Sequence, residues 1–251
     1  TRPSRTARTA CHPGLVARSL PRVVSLRRMR TTAGSRAAIA STLTGADGVL
    51  IEALPALALI ANFGVGYDRI DMQAATARGI RVTNTPGVLD VDVADLAMGL
   101  LLSVCRRIPQ GHRFVQDGGW LKGPFPLAVR LSGKRLGIVG LGRIGKAVAR
   151  RAEGFGLSIA YHGRHEQRDQ PYRYYANLVA LAGDVDLLIV LVPAETDTDG
   201  LIRREVLEAL AGNQGVFVNV ARGSVVDEPA LVDLLVAGRL GGAGLDVFAD
   251  E

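Results

Sequence analysis

Cysteine is scarce in this chain of 251 residues: there are two, Cys11 and Cys105, far apart in sequence. No disulfide framework or metal site follows from that usage, and a reducing compartment is expected. Long apolar runs are missing as well. The longest, around residues 96–105 and 187–193, are too short to cross a bilayer, so no membrane association is expected. Acidic residues are absent from residues 1–36, which hold nine arginines (Arg2, Arg5, Arg8, Arg18, Arg22, Arg27, Arg28, Arg30 and Arg36). With those set aside, 21 basic residues face 24 acidic ones, a balance of −3. The overall charge of +6 is therefore a property of the tail and gives no argument for a nucleic-acid partner. The tail itself reads as disordered. An organelle transit peptide is the alternative, opposed by Pro3, Pro13 and Pro21 and by weak helical periodicity; a nucleic-acid-binding arm is a further one. A cytoplasmic protein is the expectation. There is no internal repeat.

What is present is a hydrophobic content of 48%, in short segments. Strands are predicted at 38–41, 59–63, 80–83, 136–139, 158–161, 186–192, 216–220 and 242–248. Helices are predicted at 70–78 (closed by Gly79), 92–107, 205–211 and 228–237, with 49–53 open between a short helix and a strand. Residues 109–131, with the single tryptophan Trp120, read as less regular. Alternation of this kind predicts an α/β fold with a doubly wound parallel sheet.

Residues 136–145 run Leu-Gly-Ile-Val-Gly-Leu-Gly-Arg-Ile-Gly. An apolar strand passes directly into G-x-G-x-x-G, and Ile144, Val148 and Ala152 continue at helical spacing. Each glycine has a task in a dinucleotide-binding turn. Gly140 allows the tight turn, Gly142 lets the backbone approach a pyrophosphate, and Gly145 lets the helix pack on the strand. The helix N-terminus offers N–H groups and a positive dipole end to that pyrophosphate. At the end of the next strand, NAD sites place an acid that holds the ribose 2′-OH. Here that position falls at Gly163, followed by Arg164 and, nearby, Arg168. A missing carboxylate removes repulsion toward a 2′-phosphate, and a guanidinium supplies a matching fork of donors. NADP(H) is therefore predicted over NAD(H). The alternative is that both arginines are solvated loop charges and Glu166 takes the ribose.

Other strand ends carry polar groups toward the same crevice. Arg222 leaves the strand at 216–220 and suits a carboxylate-bearing substrate; Asp246 lies within the strand at 242–248, with Glu251 beyond; and Gly64-Val65-Gly66 offers backbone N–H groups to an anion. The alternatives are a surface charge for Arg222, a structural hydrogen-bonder for Asp246 and ordinary turn residues for Gly64 and Gly66.

The ordered set GVGYD (64–68), NTPG (84–87), GLGRIG (140–145), NVARG (219–223) and LDVF (245–248) resembles the D-isomer-specific 2-hydroxyacid dehydrogenases, in particular the glyoxylate/hydroxypyruvate reductase branch. The resemblance covers about residues 38 to 251. It implies a Rossmann domain over 92–251 without its last elements, including the final sheet strand, and a partial, smaller flavodoxin-like substrate domain over 37–91, the two flanking a cleft. It implies that Arg222 binds the substrate carboxylate and polarises its carbonyl, and that the N–H groups of Val65 and Gly66 hold the other carboxylate oxygen. Arg143 and Ile144 would line the pyrophosphate, Val192-Pro193 and Val220-Ala221 the nucleotide and nicotinamide, and Asp246 would bond the nicotinamide amide.

Glu251 matches the family's catalytic acid, which raises the pKa of a proton-donating histidine. In the family that histidine stands in a P-H-x-G turn past the LDVF strand. None of His12, His112, His162 and His165 has that context, so the expectation is a fragment, or an incomplete gene model, of a longer reductase. The function implied is NADPH-dependent reduction of a small 2-ketoacid such as hydroxypyruvate or glyoxylate by a homodimer. Alternatives are a phosphoglycerate dehydrogenase, or a non-catalytic dinucleotide sensor resembling a corepressor.

Overall fold

A computed structural model describes residues 34–41 and 44–250. The readings made for the Arg-rich tail and for Glu251 fall outside the described residues. These divide into two compact units, one comprising the described chain up to Phe63 with Arg69–Thr83, the other Gly64–Asp68 with the chain from Asn84 onward.

In the smaller unit, strands β1 (Ala37–Ser41), β2 (Leu59–Phe63) and β3 (Arg81–Thr83) form a parallel sheet in that order. Parallel neighbours need crossovers, supplied by helices α1 (Gly48–Ala53) and α2 (Met72–Ala77). Aspartates start both helices: Asp47 accepts from Leu50 N–H and Asp71 from Ala74 N–H, each at 2.8 Å, satisfying donors that a helix start leaves open. The segment at 49–53 is thus helical, its cap outweighing the β-branched content. Ile51, Leu54, Ile60, Ile70 and Ile80 fill the core.

The larger unit begins with α3 (Asp90–Cys105) and continues α4 (Ile108–Gln116), β4 (Arg135–Val139), α5 (Arg143–Gly154), β5 (Ser158–His162), β6 (Arg173–Tyr175), α6 (Leu178–Asp184), β7 (Leu187–Val190), α7 (Arg204–Ala211), β8 (Val216–Asn219), α8 (Glu228–Val236) and β9 (Gly242–Leu245). Six parallel strands stand in the order β6-β5-β4-β7-β8-β9, the doubly wound Rossmann order, with its switch point between β4 and β7. Helices cover both faces, so strand residues are buried irrespective of which way they point. Leu188 and Phe217 pack with Leu181, Leu207, Leu210 and Leu234 on one side. Ile138, Ile189 and Val218 pack with Ala97, Leu101 and Val148 on the other. Cys105 lies in this second layer, and burial pushes its thiol up to about 11.

Residues 109–131 and a short edge strand depart from the sequence reading. Residues 109–131 are not irregular throughout: α4 occupies their start, followed by a 3-10 turn at Gly119–Leu121. Pro109 sits in the first turn of α4, where a missing N–H costs nothing, and Arg107 in the left-handed region (φ 55°) separates α4 from α3. Strand β6 also goes unannounced, because a three-residue edge strand of Arg and Tyr has no apolar run. Its Tyr175 ring packs under the Arg173 guanidinium at 4.6 Å instead. Among the described residues no helix is long and apolar enough to cross a membrane, and no cluster of His, Cys, Asp and Glu could hold a metal.

Candidate active site

Because the six strands are parallel, their carboxyl ends share one edge of the sheet, and the predicted nucleotide residues follow from the strands that end there. Gly140 comes directly after β4 with φ +98°, a conformation that L side chains rarely adopt. A Cβ on it would lie 3.0 Å from Val192 Cγ1 and 3.1 Å from the Leu191 carbonyl, so the turn after β4 abuts the segment after β7 at the switch point. Gly145, inside α5, has its Cα against the Gly140 carbonyl oxygen, which an added Cβ would meet at 2.3 Å. Gly142 caps α5, and a Cβ there would meet nothing within 4 Å. One glycine makes the turn, one seats the helix and one leaves open room in front of the helix N-terminus. This is the cradle that a pyrophosphate fits, and the residues present suit a dinucleotide. Ile144 packs inward beside the second core layer, while the exposed Arg143 directs Nε to Asp90 Oδ2 at 3.1 Å.

The loop after β5 is a built structure. The buried Tyr161 hydroxyl accepts from the Gln167 N–H at 2.6 Å, and the Gln167 side-chain amide donates to the Leu141 carbonyl in the glycine turn at 2.8 Å. Tyr174 donates from its hydroxyl to the Gly163 carbonyl at 3.2 Å. Within this frame Gly163 has open space where a Cβ would stand. Arg164 is almost wholly exposed, with Nη1 4.0 Å from Glu195 Oε2. His162 bonds the Tyr175 carbonyl through Nδ1 at 2.9 Å, His165 is exposed in the same loop, and His112 is exposed on α4.

The third part is built on β8. Asn219, buried at its end, donates to the Arg222 carbonyl at 2.9 Å and accepts from Ala221 N–H at 3.0 Å. Those two bonds fold the chain sharply, bury Val220 and Ala221 and project Arg222. The guanidinium lies against the Gly64–Asp68 turn. Its Nη2 donates to Asp68 Oδ1 at 3.0 Å, Nε to Asp68 Oδ2 at 3.3 Å, and Nη1 to the Ala221 carbonyl at 2.7 Å. A Cβ on Gly66 would lie 2.0 Å from Nη2, so glycine is what lets the guanidinium sit in this place; a side chain there would push it aside. The turn is braced in its own right: Asn84 donates to the Val65 carbonyl at 2.9 Å and Thr85 N–H to the Gly64 carbonyl at 3.0 Å, which joins the GVGYD and NTPG motifs.

Asp246 lies one residue beyond β9 rather than within a strand, because pairing with β8 stops at Leu245 opposite Asn219. Its N–H still bonds the Asn219 carbonyl at 3.0 Å, leaving its side chain exposed at the sheet edge. Pro193 is also exposed at that edge, its carbonyl taken by Thr198 Oγ1 at 2.6 Å. The structure thus joins Gly66 with Arg222, and the β4 turn with Val192. It adds Asp68, Asn219 and Gln167, to which the sequence reading gave no role. Asp68 ends the GVGYD motif and Asn219 begins NVARG, so a polar residue at the rim of each is the available signal; Gln167 carries none.

Known proteins share the sequence pattern and the fold. The profile of the family described as D-isomer specific 2-hydroxyacid dehydrogenase, NAD binding domain, matches residues 98–251. Hydroxyphenylpyruvate reductase of Plectranthus scutellarioides is 50% identical over 86% of this chain and 69% of its own. Glyoxylate/hydroxypyruvate reductase A of Arabidopsis thaliana is 47% identical over the same shares, 86% and 69%. The structure of an NADPH-dependent glyoxylate/hydroxypyruvate reductase from Sinorhizobium meliloti, in complex with NADP and malonate, is 47% identical with a TM-score of 0.82, covering 88% of this chain and 70% of that one. With a six-stranded Rossmann sheet, a glycine turn and an arginine seated on a glycine, the chain belongs to the D-isomer-specific 2-hydroxyacid dehydrogenase family, a group of NAD(P)-binding oxidoreductases.

Proposed function

We propose that this protein reduces a small 2-ketoacid, of the hydroxypyruvate or glyoxylate kind, to the D-2-hydroxyacid with NADPH. The observation that carries this reading is Arg222, held at the end of β8 with part of its donor set unspent. A bound NADPH supplies the hydride that attacks the carbonyl carbon. The chain's own residues prepare that carbon. Arg222 takes the carboxylate and draws electron density toward the carbonyl oxygen, an effect that is strongest when the donors are already oriented. The N–H groups of Val65 and Gly66 take the remaining carboxylate oxygen. The Gly140–Gly145 turn, with Arg143 and Ile144, holds the pyrophosphate. Val192, Pro193, Val220 and Ala221 line the nucleotide, and Asp246 accepts from the nicotinamide amide. Glu251 matches the acid that in this family raises the pKa of a proton-donating histidine, and such general acid catalysis is worth about 10²–10⁴-fold in rate. The names of the relatives span hydroxypyruvate and hydroxyphenylpyruvate. The shared chemistry is a ketone beside a carboxylate, and assays with both acids distinguish a small side pocket from a large one.

The cofactor preference rests on Gly163 and Arg164, and the relative from Sinorhizobium meliloti, described as NADPH-dependent, supports it. A charge-assisted hydrogen bond contributes roughly 1.5–3 kcal/mol, and Glu195 competes for Arg164. The lower end, about tenfold tighter binding of NADPH than NADH, is therefore expected. Fluorescence titration of both cofactors checks it, and Arg164→Ala should abolish the difference by weakening NADPH alone. Equal affinities in the unaltered protein would refute the preference.

A homodimer is part of the same reading. Leu96 and Val91 on α3, Val115 on α4, and Trp120, Leu121 and Leu127 after it are exposed apolar side chains, Leu121 at 91% and Leu127 at 98%. Apolar groups so exposed in one stretch of chain suit a self-association surface. Sedimentation should report a dimer at micromolar concentration; a monomer would count against it.

A further inference from the structure

A guanidinium has five N–H groups in a rigid plane, and at Arg222 three are engaged. Nε and Nη2 meet the two oxygens of Asp68 at 3.3 and 3.0 Å, which fills the side-on edge of the fork, and Nη1 meets the Ala221 carbonyl at 2.7 Å. The plane then leaves one N–H on Nη1 and one on Nη2. Two such N–H groups can serve two oxygens of a 2-ketoacid, one from the carboxylate and one from the ketone. Gly66 closes off the space beside Nη2, so the plane has little room to rotate. We propose, building on the reading of Arg222 as the substrate-binding arginine, that Asp68 is a positioning residue: it clamps one edge of the guanidinium so that the other faces the substrate.

The arrangement has a cost that makes it recognisable. Asp68 brings a negative charge close to an anionic substrate, and so weakens rather than strengthens capture of a carboxylate. An acid kept there for binding alone would be misplaced; an acid kept for orientation is not. Asp68→Asn removes the charge and one of the two acceptors. The guanidinium can then pivot, and misplacement by about 1 Å costs about 10²-fold in rate. The expected signature is a kcat lowered at least tenfold, with a KM for the ketoacid that stays level or falls. Acetate, a carboxylate that cannot be reduced, should inhibit the variant at equal or lower concentration. Asp68→Glu, which keeps charge and both oxygens, should recover part of kcat.

The test is steady-state kinetics on the full-length protein with hydroxypyruvate and NADPH, together with NADPH titration and thermal unfolding of each variant. Asp68→Ser is made alongside, in case the amide variant folds poorly. Unaltered kcat in the Asn variant overturns the proposal, as does a raised KM at constant kcat. Loss of NADPH affinity and thermal stability in both the Asn and Ser variants also overturns it, because the acid would then be structural. Arg222→Ala separates the two readings. If that variant turns over normally, the substrate-binding assignment itself fails; if it is inactive while Asp68→Asn is normal, only the positioning role fails.

Discussion

Replacing Arg222 with alanine should lower kcat/KM for the ketoacid by about 10²–10³-fold, with NADPH affinity retained. A hydrogen bond to a charged group contributes roughly 1.5–3 kcal/mol, and Arg222 offers the substrate more than one. Two losses add here. The substrate gives up its bidentate donor, and Asp68, which shares both its oxygens with Arg222, loses the cation that offsets its charge beside an incoming carboxylate. Arg222→Lys should not restore the rate. An ammonium is a point charge and cannot hold Asp68 along one planar edge while keeping further donors fixed for the substrate. Steady-state kinetics with hydroxypyruvate and glyoxylate measure the loss. Turnover within a few-fold of the unaltered protein would remove the basis for the enzymatic assignment. Arg222 lies outside the glycine turn, so the same variant should titrate normally with NADPH, which separates loss of substrate from loss of fold.

The parts of this molecule that could be read from sequence are those in which cause and effect are close along the chain. Strand, glycine turn and helix at 136–154 are one local unit, and each of its glycines meets in three dimensions what its position implied: strain at Gly140, open room at Gly142 and a backbone oxygen at Gly145. Buried parallel strands such as β7 and β8 announce themselves because both faces are covered and nearly every residue is apolar. The misses are of another kind. Strand β6 survives by pairing with β5 at the sheet edge, so its residues need not look like a strand. The start of α4 was hidden by Pro109, which is permitted only because it falls in the first turn. The Asp68–Arg222 pair spans 154 positions. Both members belong to recognisable motifs, GVGYD and NVARG, but nothing in either motif says that the two would meet. The same is true of Gln167, whose bond to the Leu141 carbonyl ties the loop after β5 to the glycine turn. Distant side-chain pairings are written in the topology, not in any window of sequence.

The glycine turn permits a sharper test, because two of its glycines make opposite predictions. Gly145→Ala puts a methyl group 2.3 Å from the Gly140 carbonyl oxygen. The obstacle is backbone, so no side chain can swing aside; either α5 moves away from the turn or the turn deforms. Overpacking of this kind costs about 1–3 kcal/mol, which for a protein of this size lowers Tm by several degrees, at roughly 2–4 °C per kcal/mol. It also displaces the helix start from the pyrophosphate, so NADPH affinity should fall at least tenfold. Gly142→Ala adds the same methyl group where nothing lies within 4 Å, at φ −80°, which alanine accepts. Tm should hold, and only the room in front of α5 is reduced, so NADPH affinity should fall alone. Calorimetric melting and cofactor titration on the two variants therefore separate a glycine required by the fold from one required by the ligand. If Gly142→Ala bound NADPH as tightly as the unaltered protein, the open space at the helix start would not be the pyrophosphate site, even though the fold around it is that of a dinucleotide-binding domain.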